Sequence, residues 1–280
     1  MSDVPLRGVR TRPISPFWSR ILVAVAGLPA VIGIVWMGGW WLTLLAIGCG
    51  FVALHEFTVV TRPLRPVGIA AYAGLLCILL GIQLGGLVWG SGGIGVALAL
   101  ALLLKGVSDT RGSATVAVAA TLLGTAWIGF GLGFFVLVRA FPAHGRLAAL
   151  TVMIAVFAAD SAAYFVGMGI GRHELAPRLS PGKTWEGFVA GVVATLFVAF
   201  VALYQDRHTF LSIGQALALG VVLALAGPTG DLFESSVKRD MRVKDSGRIL
   251  AGHGGMLDRL DALLFASIAA FYVILAFGAT

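Results

Sequence analysis

The sequence predicts an all-α fold: a polytopic transmembrane helical bundle of about nine spans, N-terminus in and C-terminus out. Three observations predict it. Of the 280 residues 59% are hydrophobic and only 12% are charged, and the mean hydropathy is +0.96, whereas a soluble domain carries roughly a quarter of its residues as charges. The apolar residues fall into runs that reach the roughly 20 residues needed to cross a bilayer. The basic residues sit in alternate connections between those runs, as they do when positive charge stays in the cytoplasm.

Taken in order, the runs are 18–38, 40–60, 67–89, 92–106, 114–139, 147–170, 184–204, 210–227 and 256–279. The first two read as a hairpin turning at Gly38 and Gly39, with Trp36, Trp40 and Trp41 forming part of an aromatic belt. The basic, proline-broken stretch "MSDVPLRGVRTRPISPFWSR" precedes a long apolar run with no small-residue cleavage site, which reads as an uncleaved first span. With nine spans, 17 of the 20 Lys and Arg fall on one side, and only Arg139, Arg146 and Arg207 fall on the other. The long polar segments 171–183 and 228–255 then face the cytoplasm together. Cys49 and Cys77 lie inside apolar runs and read as small packing residues, not as a disulfide framework. The net charge of +7 marks cytoplasmic loops and anionic head groups, not nucleic acid.

Most of the acidic residues gather in two segments, 160–187 and 230–261. In the first, Asp160 stands well inside an apolar run, where a carboxylate is costly and functional by default. Arg172, Arg178 and Lys183 follow it as anion-binding donors. The stretch "LSPGKTWEGF" ends like a phosphate-binding loop, but the motif requires a glycine where Pro177 stands, and no soluble strand and helix flank it. In the second segment, a helix over 231–240 after a break at Pro228 puts Asp231, Glu234, Ser235 and Lys238 on one face. Asp258 and Asp261 share a face where the last run begins. Carboxylates from two helices with lysines and arginines between them suit Mg²⁺ and a polyphosphate, because Mg²⁺ takes one or two carboxylates and completes its shell with water and phosphate oxygens. His253, Gly254 and Gly255 add donors in a backbone with little steric cover. Glu56 and its neighbour His55, near the end of the second run, read as interfacial and receive no role.

The stretch "SSVKRDMRVKDSGRILAGHGGMLDRLD" over 235–261 resembles the signature of phosphatidate cytidylyltransferases, the CDP-diacylglycerol synthases. Ser235, Lys238, Arg239, Lys244, Asp245, His253, Gly254, Gly255, Asp258, Arg259 and Asp261 fall in register, while Ala251 replaces the family's usual Pro, Gly or Ser. "DSAAYFVG" and "LSPGKTWEG" resemble a second conserved region, and "GDLFES" the usual lead-in. The resemblance covers about the C-terminal half; the N-terminal half matches in hydropathy and length only. It implies CTP + phosphatidate → CDP-diacylglycerol + pyrophosphate, with Mg²⁺ and room for a second cation. The metal site implied involves Asp231, Ser235 and Asp258; Lys238, Arg239, Lys244, Asp245, His253 and Asp261 belong to the same polar cavity. By analogy Lys183 is a phosphate-binding lysine supported by Ser180 and Thr184, with Arg259 and Asp160 also at the substrate.

The expected organisation is a basic cytoplasmic segment over 1–17, N-terminal transmembrane helices over 18–146 and a C-terminal transmembrane catalytic region over 147–280. The expected setting is the inner (plasma) membrane, with the site facing the cytoplasm, the lipid bilayer as partner and a homodimer as an admissible assembly. In-line attack by phosphatidate on the α-phosphorus of CTP needs no covalent enzyme intermediate; metal ions held by Asp231 and Asp258 neutralise the migrating group. An ion-coupled transporter built on Asp160 is the alternative, and it leaves the clustered Lys-Arg, Lys-Asp and His-Gly-Gly unexplained. The CDP-alcohol phosphotransferase pattern is absent from the sequence.

Overall fold

The computed structural model of the chain describes residues 16–108, 112–243, 247 and 255–278. Lys244, Asp245, His253 and Gly254, and residues 1–15 of the basic N-terminal segment, lie outside the described residues. The helices are α1 (Pro16–Met37), α2 (Gly39–Val60), α3 (Gly68–Ser108), α4 (Ala114–Arg139), α5 (Gly145–Ile170), α6 (Trp185–Leu203), α7 (Ile213–Asp240) and α8 (Leu257–Ala276). Seven of them, α2 to α8, are long and apolar enough to cross a membrane, and α1 contributes a shorter apolar stretch, Gly27–Met37. The chain is a polytopic helical membrane protein.

α3 is two limbs. Its backbone leaves helical geometry at Gly85 and Gly86, where Gly86 takes φ 71° and ψ −160°, a region open to little but glycine. A methyl added at Gly93 would come within 2.6 Å of Ile78, and one at Gly90 would strike Ile82. The pairs 78–93 and 82–90 converge on the break, so the limbs 68–84 and 87–108 run antiparallel against each other.

α4 is the central helix: 72% of its most apolar window is buried inside the bundle, against 22–44% for the other six spans. Its small residues explain how it can be. Gly124 admits Phe57 of α2, Gly129 admits Ile78 of α3, and Gly131 admits Leu264 of α8, in the manner by which small residues let membrane helices approach. Phe57, Ile78 and Leu264 are fully or almost fully buried around it.

The loops sort to two ends. At one end α1 turns into α2 at Gly38, and Arg139 from the end of α4 donates from Nε to the Val35 carbonyl and from Nη2 to the Trp36 carbonyl, both at 2.7 Å. These bonds satisfy carbonyls that the end of α1 leaves unpaired. Arg146 lies over the Trp36 ring at 4.5 Å, and His144 stacks on Phe210 of the α6–α7 connection. At the other end lie the C-terminus of α2, the connection between α5 and α6, and the start of α8.

Two local features differ from the sequence expectation. The α5–α6 connection holds a small antiparallel hairpin, β1 (Glu174–Ala176) and β2 (Ser180–Thr184), with Glu174 opposite Thr184 and Ala176 opposite Ser180. Strands of three and five residues are too short to carry a readable alternation. α7 also runs unbroken through Pro228. The proline withholds the N–H that would reach the Ala224 carbonyl; next to it, Thr229 Oγ1 donates to the Leu225 carbonyl at 2.7 Å, the kind of local side-chain bond that lets a spanning helix tolerate proline.

Gly38 adopts φ 68° and ψ −155°, and a methyl there would meet the Arg139 guanidinium at 2.7 Å. Gly39 also has positive φ, at 54°, but nothing lies within 4 Å of its would-be methyl. Gly38→Ala should therefore cost about 2 kcal/mol or more, from backbone strain plus a displaced Arg139, and Gly39→Ala about 1 kcal/mol from the left-handed backbone alone. Thermal unfolding in detergent measures both; equal losses would sink the role given to Arg139.

Candidate active site

The site begins where α5 and α6 lie against each other. Gly187 and Gly191 of α6 face the carbonyls of Ala163 and Ala159, and a methyl at Gly187 would sit 2.7 Å from the first. The close packing brings the β1–β2 hairpin back over α5. Thr184 ends the hairpin and caps α6, its Oγ1 accepting the Gly187 N–H at 3.1 Å. Glu186 clamps the base: it accepts the N–H groups of Arg172 and His173 and pairs with His173 Nδ1 at 2.6 Å. Lys183 is thereby carried over α5.

Lys183 Nζ forms an ion pair with Asp231 Oδ2 of α7. Both line a cavity of about 240 Å³ with Asp160 of α5 and Thr184, walled otherwise by apolar or small residues such as Ala163, Phe188 and Pro228. The polar end therefore continues into an apolar wall inside the membrane-spanning part.

α7 and α8 build the second half. They touch at Gly230, where any side chain would strike the Asp261 backbone carbonyl. Along this seam Lys238 Nζ donates a hydrogen bond to Asp258 Oδ1 at 2.7 Å and forms an ion pair with Glu234, 3.3 Å from Oε1. Asp258 Oδ2 accepts the Gly255 N–H at 2.8 Å, which suits an acidic group in a first helical turn. Asp261 is 7% exposed, and its Oδ1 accepts the Ala262 N–H at 2.7 Å. Glu234, 2% exposed, interacts with both Asp258 and Asp261, and Asp261 interacts in turn with Asp231 and Asp160. The two halves are one electrostatic cluster.

The residues singled out in the sequence distribute as follows. Asp160, Lys183, Thr184 and Asp231 meet at the cavity, and Lys238, Asp258 and Asp261 meet along α7 and α8. Ser235 is buried on α7. Arg239 ties α7 to the hairpin, its Nε donating to the Leu179 carbonyl at 3.2 Å. Ser180 lies on β2, away from the cavity lining, and Arg259 is exposed at the start of α8. Sequence reasoning undervalued Glu234, which shares a helical face with Asp231 and Lys238 and turns out to join Lys238 to Asp261.

No three His, Cys, Asp or Glu side chains among the described residues gather into a preformed metal site. Asp231 and Asp258 each carry a lysine instead. The donor set still fits Mg²⁺, which needs only one or two carboxylates beside water and phosphate: Asp231 and Ser235 of α7 and Asp258 of α8 are hard oxygen donors on two helices packed against each other.

Residues 18–277 match the model described as the cytidylyltransferase family. The chain is 34% identical over 257 residues to the phosphatidate cytidylyltransferase of Staphylococcus haemolyticus, covering 88% of this chain and 94% of that protein. It is 32% identical over 312 aligned positions to that of Mycobacterium bovis, covering 98% of this chain and 95% of that one. Over a 125-residue part it is 43% identical to that of Haemophilus influenzae. The agreement thus runs through the N-terminal helices as well as the charged seam, and the chain belongs to the phosphatidate cytidylyltransferase family.

Proposed function

We propose that the protein transfers CMP from CTP to phosphatidate, giving CDP-diacylglycerol and pyrophosphate. The observation that carries the reading is the Lys183–Asp231 pair, which with Asp160 and Thr184 forms the polar part of a cavity walled mostly by apolar and small residues. A phosphorylated head group needs the charged end, and its acyl chains need a way out into lipid.

A phosphate oxygen of phosphatidate attacks the α-phosphorus of CTP, the new P–O bond forms, and the bond to the departing pyrophosphate breaks. The attacking group is already anionic, so no side chain has to take a proton. Positioning and charge neutralisation remain as the work of the protein. Lys183 reaches the triphosphate from the hairpin, which Thr184 and Glu186 hold rigid. Lys238 is held between Asp258 and Glu234, ready to act at a fixed point, and Arg239 and Arg259 border the same end of the bundle. Asp231, Ser235 and Asp258 are the residues that would hold Mg²⁺, which when bound neutralises charge on the phosphate oxygens. Lys244, Asp245 and His253 complete the polar lining in this reading.

In the proposed topology α1 and the two limbs of α3 are separate crossings, which gives nine spans. The end of the bundle that bears residues 61–66, 171–184 and 240–257 then faces the cytoplasm, and Arg139, Arg146 and Arg207 face away. Catalytic side chains come from 147–280, and soluble CTP reaches them from the cytoplasmic side.

Three outcomes are expected. Lys183→Ala should lower kcat/KM for CTP by about 10- to 150-fold, the loss of one charge-assisted phosphate contact of about 1.5–3 kcal/mol, with little change in melting temperature. Unchanged CTP kinetics would return the hairpin to the status of an ordinary basic loop. Asp231→Asn and Asp258→Asn should each reduce CDP-diacylglycerol formation by roughly 10³ or more, and the double variant should be little worse, because groups that act as a unit fail together. Modest, additive losses across a Mg²⁺ titration would assign them to independent ion pairs instead. A reporter fused after Thr280 should be found outside the cytoplasm and one inserted after Ser108 inside; a cytoplasmic C-terminal reporter on an active fusion would overturn the nine-span arrangement.

A further inference from the structure

The charged seam of α7 and α8 starts on a carboxylate from the other half of the chain. Glu56 of α2 is 1% exposed, and its Oε2 accepts the N–H of Leu257 at 2.9 Å across 201 residues of sequence. Leu257 is the first residue of α8, and Asp258 is the second. The residue preceding the helix, Met256, offers no side-chain cap; the N–H of Leu257 in the first turn is answered by Glu56, while Asp258 takes the Gly255 N–H just before the helix. The Glu56 carboxylate also lies against Gly247 of the signature segment, where a methyl would come within 2.6 Å of Oε1. Oε1 accepts no hydrogen bond among the described residues.

A buried carboxylate is costly unless its placement is repaid by specific bonds. The neighbours of Glu56 on the same helix, Leu54 and Phe57, fill that core with apolar groups alone, so packing does not account for an acid there. The capping bond does: a negative charge at a helix N-terminus satisfies an orphan donor and complements the helix dipole. We propose that Glu56 is a positioning residue for nucleotidyl transfer. It fixes the first turn of α8 and the chain at Gly247, and so holds Asp258 on Lys238 and sets the register of Asp261 against Glu234. Glu56 touches no substrate in this role; it acts through Asp258, and the inference rests on Asp258 belonging to the transfer machinery.

The test uses the full chain in lipid-containing micelles, with two readouts: kcat and KM for CTP in CDP-diacylglycerol formation, and amide exchange in the peptide that contains Leu257. Glu56→Ala should lower kcat ten- to a hundredfold while KM for CTP stays within threefold, because Lys183 and the cavity between α5 and α6 are untouched. Exchange at the start of α8 should accelerate at least tenfold. Glu56→Gln keeps an oxygen for the Leu257 N–H and should recover most of both losses. Gly247→Ala, which pushes on the carboxylate, should move both readouts in the direction of Glu56→Ala. A kcat within twofold of wild type in folded Glu56→Ala, a change confined to KM, or a Glu56→Gln variant as impaired as Glu56→Ala would each overturn the proposal. Should Glu56→Ala fail to fold, Glu56→Gln and Gly247→Ala decide it: wild-type kcat and exchange in Gly247→Ala overturn it. A wild-type protein that makes no CDP-diacylglycerol refutes the assigned reaction, and exchange at Leu257 still decides whether Glu56 holds α8.

Discussion

A carboxylate inside an apolar bundle must be answered by a cation or an N–H donor, since leaving it unpaired there costs several kcal/mol. The arrangement of α5 to α8 can be read as the set of answers. Asp231 is answered by Lys183, Asp258 by Lys238 and the Gly255 N–H, Asp261 by the Ala262 N–H, and Glu56 by the Leu257 N–H. The Asp261 bond is to its own neighbour, but Lys183 on Asp231, Lys238 on Asp258 and the Leu257 N–H on Glu56 each join two separate segments. The hairpin is held over α5 because its lysine is needed at α7, and α8 starts where it does because two acids meet its first turn.

The same constraint gives the cluster its capacity for chemistry. In the proposed reaction, lysines already paired with carboxylates would pass to the phosphates of an incoming nucleotide with little change in the number of buried charges. A site of isolated lysines would repel its own components before substrate arrived, and a site of isolated acids would repel a triphosphate. Interleaving the two signs on facing helices avoids both. That interleaving needs α7 and α8 at close quarters, which the missing side chain at Gly230 permits.

Much of this was legible in the sequence because an apolar background makes every charge conspicuous. The apolar runs match the helices within a few residues at most ends, and the Gly38–Gly39 turn lies where it was expected. The grouping of Asp231, Glu234, Ser235 and Lys238 on one face follows directly from helical spacing, and α7 is helical there. What escaped has physical reasons. Pro228 reads as a break by local rules, yet α7 stays helical through it, with the Thr229 hydroxyl bonded to the Leu225 carbonyl beside it. The β1–β2 hairpin is too short for a periodic signal. Glu56 has its partner 201 residues away, a relation that no local pattern can express, so it looked like an interfacial acid at the end of a span.

That long-range bond bears on how the chain is divided. Sorting the charged chemistry into 147–280 is natural on the sequence, but the packing that supports it crosses the line. Trp127 of α4 sits edge-on against Phe233 of α7 with ring centroids 4.7 Å apart, beside Glu234. Leu264 of α8 fills the space opened by Gly131 of α4, one turn from Asp261. Arg139 closes the end of α1, while α5 begins six residues further on. A C-terminal fragment would therefore expose the buried faces of α7 and α8 to lipid and leave the first turn of α8 without Glu56. The N-terminal helices, which carry almost no charge of their own, set where the charged seam can stand.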